Sequence, residues 1–147
     1  MEFSRQYHVP GSASEFAEYL RELRSQRKAR KSEHRGSPER QPLSRADREV
    51  ILAKTAARCH VCGGKIQGRW HADHVLAHSA GGEHITDNYL AAHPICNNYR
   101  WDYLPEEFQE IMRLGVWLRT QIEKETRIGR SAAEAFIRYD KGRIKRR

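Results

Sequence analysis

Between Cys59 and Arg100 the chain reads CHVCGGKIQGRWHADHVLAHSAGGEHITDNYLAAHPICNNYR, a stretch holding all three cysteines and six of the eight histidines. Two donor sets separate by chemistry. Cys59 and Cys62 are spaced C-x2-C, and His93 and Cys96 H-x2-C; these are two short knuckles able to close one tetrahedral Zn2+ site of Cys3His composition. Asp73, His74, Asn88 and Asn97 offer oxygen and imidazole, donors suited to a hard cation and an activated water. A redox dithiol is the rival reading of Cys59 and Cys62, but no βαβ pattern surrounds them and a second knuckle exists, which favours zinc. His93 has two roles open to it, zinc ligand or catalytic imidazole, and its spacing to Cys96 favours zinc.

At these residues the chain resembles the HNH (ββα-metal) endonucleases, in the form that carries zinc knuckles. The resemblance rests on Asp73-His74, Gly81-Gly82, Asp87-Asn88 and Asn97, interleaved with the knuckles in the family's order. It departs from the family at His93, where many members carry cysteine, and at Ala77, where proline is common. The resemblance implies a ββα unit, a metal-dependent cut of duplex DNA leaving 5′-phosphate and 3′-hydroxyl ends, and Asn88 as the residue that ties the loop so that His74 is correctly turned. His74 is the expected general base, since an imidazole titrates near neutrality. Asp73 and Asn97 are the expected ligands of one Mg2+ or Mn2+, leaving room for water and phosphate oxygens. His71, on the strand face of Asp73, and Arg100 are weaker candidates for phosphate contact. The alternative is a non-catalytic zinc-stabilised module that binds nucleic acid or a protein. The full set of Asp73, His74 and Asn97 argues against it, because a binding module needs no base beside a metal site.

The elements that must position these residues are short. Gly81-Gly82 supplies a turn between residues 69–77 and Ile85–Leu90, predicting a hairpin of two strands, followed by a helix over Ile95–Trp101. In a regular strand Asp73 and His74 point to opposite faces, so the expectation is a strand end or a bulge at Asp73. Ser44 with Asp47 predicts a capped helix whose apolar face runs to Ala57 and leads into the first knuckle. Upstream, Phe16, Tyr19, Leu20 and Leu23 form a helical stripe from Ser14 to about Lys31. Downstream, Pro105 opens a helix whose stripe of Phe108, Ile111, Met112, Leu118 and Ile122 reaches a C-cap at Gly129, with Gly115 admitting a neighbouring helix. That neighbour is expected to be the first helix or the ββα unit. A last helix spans Ser131–Tyr139. The fold class is therefore mainly α around a small zinc-stapled ββα unit, divided as 1–43 (basic helix and linker), 44–104 (nuclease core) and 105–147 (helices and basic tail).

Charge distribution supplies the remaining expectation. The net charge is +8 over 147 residues, and residues 21–40 and 138–147 each carry net +5 while the centre is neutral. Two positive arms flanking a neutral core suit a polyanion, with Arg27, Lys28, Arg30, Lys31, Lys145, Arg146 and Arg147 as DNA-backbone candidates. The odd, clustered cysteines point to a reducing compartment, and no apolar run suits a membrane or signal peptide. A cytoplasmic monomer is expected. His8, His34, His60, His78 and His84 read as surface histidines.

Overall fold

Ser12 starts the first helix: its hydroxyl accepts from the Glu15 amide, and the Glu15 carboxylate lies near the positive end of the helix dipole. The computed structural model describes residues 10–35 and 41–144. This helix, α1, runs from Ala13 to Glu33 and buries Leu23. Ser44 and Asp47 form a complete capping box, with Asp47 N donating to the Ser44 hydroxyl and Ser44 N to the Asp47 carboxylate. The helix they open, α2, covers Arg45–Lys54. It stops short of Ala57 because Ala56 and Ala57 adopt φ of 49° and 55°, left-handed values that turn the chain into the first knuckle at a cost borne by the surrounding packing.

The sheet consists of β1, His71–His74, and β2, Tyr89–Ala92, antiparallel with His71 opposite Ala92 and His74 opposite Tyr89. The second strand thus begins later than expected. Thr86–Asn88 forms a 3-10 turn, since Asn88 spends its side chain on the preceding loop, described below. A second 3-10 turn, His78–Ala80, ends at Gly81 with φ of 88°. Pro94 then opens the short helix α3, Pro94–Arg100, and completes a ββα unit. Ile51 of α2 is fully buried, as are Ala91 and Ala92 of β2, with Cys59 and Tyr89 nearly so. This core is small, as a mean hydropathy of −0.87 requires.

The chain divides into two units, Met1–Leu104 and Pro105–Arg147. In the second, α4 (Pro105–Glu123) packs on α5 (Arg127–Ile144). Gly129 is therefore not the cap of α4 but a helix-packing glycine of α5: a Cβ there would lie 2.0 Å from the Gln121 carbonyl oxygen. Gly115, expected to admit a neighbour, has nothing within 4 Å of such an atom. The last helix is longer than Ser131–Tyr139, so the basic segment is helical as far as Ile144. Lys145, Arg146 and Arg147 lie outside the described residues, as do His8 and part of the expected linker. Among the described residues, no helix is long and apolar enough to cross a membrane.

Candidate active site and metal knuckle

The turn after α2 and the start of α3 bring Cys59, Cys62, His93 and Cys96 together, with every donor atom within 4.8 Å of the others. His93 Nδ1 is 3.4 Å from Cys62 Sγ and 3.9 Å from Cys96 Sγ. Tetrahedral zinc bonds of about 2.3 Å to sulfur and 2.0 Å to nitrogen would space donors by roughly 3.5–3.8 Å. The set fits a zinc knuckle. Tautomer chemistry agrees: His93 Nε2 donates to the Lys65 carbonyl at 3.0 Å, which leaves the lone pair on Nδ1, facing the sulfurs. Gly63, at φ of 72°, and Gly64, where a Cβ would lie 3.3 Å from the His93 ring, let the loop close this tightly.

The knuckle thiols are shifted in opposite directions. Burial works against ionisation of Cys59, but the N–H groups of Cys62, His93 and Val61 outweigh it and bring the thiol down to about 6. Cys96 goes the other way, as burial and then Cys62 and Cys59 push it up to about 12. The Lys65 carbonyl, followed by Cys62, raises His93. Thiolates this close need a metal dication to ionise together.

On β1, Asp73 and His74 point apart, as a regular strand requires, and no bulge intervenes in the β1–β2 register. His74 is the last residue of the strand, and both residues nevertheless line one cleft of about 540 Å³ together with Asn97. The Asn97 amide nitrogen donates to His71 Nδ1 at 3.0 Å, so its oxygen is the atom suited to a cation. Asp73 and Asn97 thus both line this cleft, and a carboxylate and an amide oxygen are the donor types that suit a hard divalent ion. Asn88 closes the loop between the strands. Its oxygen accepts from Leu76 N at 2.9 Å, and its nitrogen donates to the carbonyls of Leu76 and Glu83, each at 3.0 Å.

Residues 59–100 match the HNH endonuclease family model. Comparison with curated proteins and with solved structures finds no match. The HNH segment contains the whole knuckle and every residue of the Asp73, His74, Asn88 and Asn97 set.

Several side chains take places within or against the HNH segment that spacing did not indicate. His60 donates from Nε2 to Asp73 Oδ2 at 2.6 Å and is no surface histidine, its side chain being 15% exposed. His84 Nδ1 lies 3.1 Å from His74 Nε2 and 2.7 Å from the Tyr89 hydroxyl, and the His78 ring packs on both His74 and His84. His34 donates from Nδ1 to the Arg30 carbonyl and sits over Gly81. Arg100 is turned inward: Nη1 contacts both Asp73 oxygens at 3.1 Å and the His74 carbonyl at 2.8 Å. Arg27 is also committed within the protein, 3.5 Å from Asp102 and over the rings of Trp101 and Tyr103. Lys28 and Arg30 are exposed. Lys31, 61% exposed, reaches Asp102 at 3.6 Å and lines the cleft with His34 and Arg35. The end of α1 therefore forms a basic wall beside Asp73 and His74. The contacts of His60, Arg100 and Arg27 span thirteen, twenty-seven and seventy-five residues, beyond what local periodicity can register; the cue for His60 was its place between two knuckle cysteines.

Proposed function

We propose that this protein is a metal-dependent endonuclease that hydrolyses phosphodiester bonds of duplex DNA, with a structural Zn2+ in the Cys3His knuckle. The observation carrying the reading is the single cleft that joins Asp73, His74 and Asn97 to the basic wall of Lys31, His34 and Arg35. The wall suits phosphate by charge and hydrogen bonding. His74, with its imidazole packed by His84, His78 and Tyr89, takes a proton from water as the water oxygen attacks phosphorus. The bond from phosphorus to the 3′ oxygen breaks, and that oxygen takes a proton from solvent water, giving a 5′-phosphate and a 3′-hydroxyl. A bound Mg2+ or Mn2+, held by Asp73 and Asn97, would supply charge neutralisation at the phosphate and the leaving oxygen. Asn88 would keep the His74 loop closed, and Lys28 and Arg30 would extend the phosphate track.

A non-catalytic module has one observation in its favour, the Arg100–Asp73 pair, which already neutralises the carboxylate. Supercoiled plasmid separates the two readings. Cutting that needs Mg2+ or Mn2+, stops with EDTA and is lost in Asp73→Ala supports the nuclease; DNA binding without cutting in either metal supports the module.

A further inference from the structure

His60 stands between two knuckle cysteines yet spends its side chain on the other site. Its backbone N–H donates to the Ala91 carbonyl on β2 at 2.9 Å, while its Nε2–H donates to Asp73 Oδ2 at 2.6 Å. Asp73 is 6% exposed, so this contact is made away from bulk water, where a hydrogen bond to a charged group is strong. The backbone of His60 is held by the knuckle on one side and by β2 on the other. Its ring is thereby delivered to β1, the strand that carries Asp73.

We propose that His60 is a positioning residue that couples the Cys3His knuckle to Asp73 and sets the affinity of the catalytic cation. The inference rests on the nuclease reading above. A carboxylate rotates about its last torsion and can offer a cation either oxygen. A donor fixed on Oδ2 holds the carboxylate plane, so that Oδ1, which Arg100 contacts at 3.1 Å, keeps a constant direction. Partners of this kind, behind metal ligands, change metal affinity by about 10- to 100-fold when removed. Arg100 also contacts Asp73, but its guanidinium lies against both oxygens and competes with a cation for them. His60 engages Oδ2 and does not bridge the pair. It also makes the cation site sensitive to the knuckle: a loop that opens on zinc loss withdraws the imidazole from Asp73.

The test uses the full chain with zinc bound and Mn2+ as the probe, followed by calorimetry and by the electron paramagnetic resonance of free Mn2+. His60→Ala is expected to raise the Mn2+ dissociation constant by about tenfold or more and to shift the Mn2+ concentration for half-maximal cleavage by the same factor. Zinc content should remain that of the unaltered protein. His60→Gln, which keeps an N–H donor at similar reach, should recover most of the affinity; a purely structural role for the ring would not be rescued in this way. Unaltered Mn2+ affinity in His60→Ala overturns the inference, as does a loss of affinity that tracks loss of zinc in that variant. Asp73→Ala distinguishes the two levels. If it abolishes Mn2+ binding while His60→Ala does not weaken it, the role of His60 alone fails; if Mn2+ binding is indifferent to Asp73, the nuclease reading fails and takes the inference with it.

Discussion

Asn88 holds Leu76 by both backbone groups, accepting from its N–H at 2.9 Å and donating to its carbonyl at 3.0 Å. Residues twelve apart are thus clamped across the loop that follows His74. A third bond runs to the Glu83 carbonyl. Asn88→Ala removes all three and is expected to cost roughly 1–3 kcal/mol in urea unfolding, with cleavage falling further than stability because the loop no longer fixes His74. Asn88→Asp keeps the acceptor and should lie between. An unfolding midpoint equal to that of the unaltered chain would show that the clamp is dispensable.

Three glycines make opposite predictions. A Cβ on Gly82 would lie 1.9 Å from the Leu76 carbonyl oxygen, and one on Gly129 2.0 Å from that of Gln121. Both contacts are to backbone, so Gly82→Ala and Gly129→Ala should each cost about 1–3 kcal/mol or more. Gly115 lies in the helix interior with open space around it, and Gly115→Ala should stabilise the second unit by about 0.5–1 kcal/mol. Thermal melts of the three variants check all three signs.

Zinc uptake should be coupled to protons. Without a metal Cys96 is held up at about 12, so it is protonated at pH 8 and must release its proton on binding. Cys59, brought down to about 6, is a thiolate at pH 8 and takes up a proton as pH falls through that value. Affinity for Zn2+ is therefore expected to fall more steeply below pH 6 than above it, and each zinc bound at pH 5 should release more protons than at pH 8. Calorimetry in buffers of different ionisation enthalpy reads this directly. A release independent of pH would contradict the assignment.

His74→Ala should abolish plasmid cleavage in Mg2+ and in Mn2+ while zinc content and DNA affinity stay close to those of the unaltered protein, because its imidazole is needed in the transition state. Gel-shift and metal analysis alongside the cleavage assay separate this from misfolding. Cutting at the original rate would remove His74 from the mechanism.

Neighbours on α1 should part company. Arg27 lies against Asp102, Trp101 and Tyr103 with its side chain 12% exposed, so Arg27→Ala should lower stability, partly because its stem no longer packs there. Lys28→Glu with Arg30→Glu, both at exposed positions, should leave stability nearly unchanged and flatten the salt dependence of DNA binding. The slope of log K against log salt changes by about 0.9 for each phosphate no longer neutralised. A double variant with the original slope would take the end of α1 off the DNA.

Much of this could be read from short spacings. The knuckle ligands lie three apart within each pair, the Ser44–Asp47 box spans a single turn, and the α1 stripe repeats every three or four residues; each is a pattern whose physics is local. The HNH resemblance over residues 59–100 was legible because the family's order of residues is itself a sequence signal. Boundaries were less so: β2 begins at Tyr89 rather than Ile85 because Asn88 turns back to Leu76, a bond that strand propensity does not contain. Gly129 looked like a terminus, since a glycine after a periodic run has the signature of a cap, and only the pairing of α4 with α5 made it a contact. Asp73 reaches His60 across thirteen residues and Arg100 across twenty-seven, and Arg27 reaches Asp102 across seventy-five. Residue type and spacing determined which donors this chain possesses and which metals and acids they suit. Tertiary structure decided which of them meet, because bringing distant side chains together costs loop-closure entropy that is offset only when the surrounding core, strands and knuckle form together.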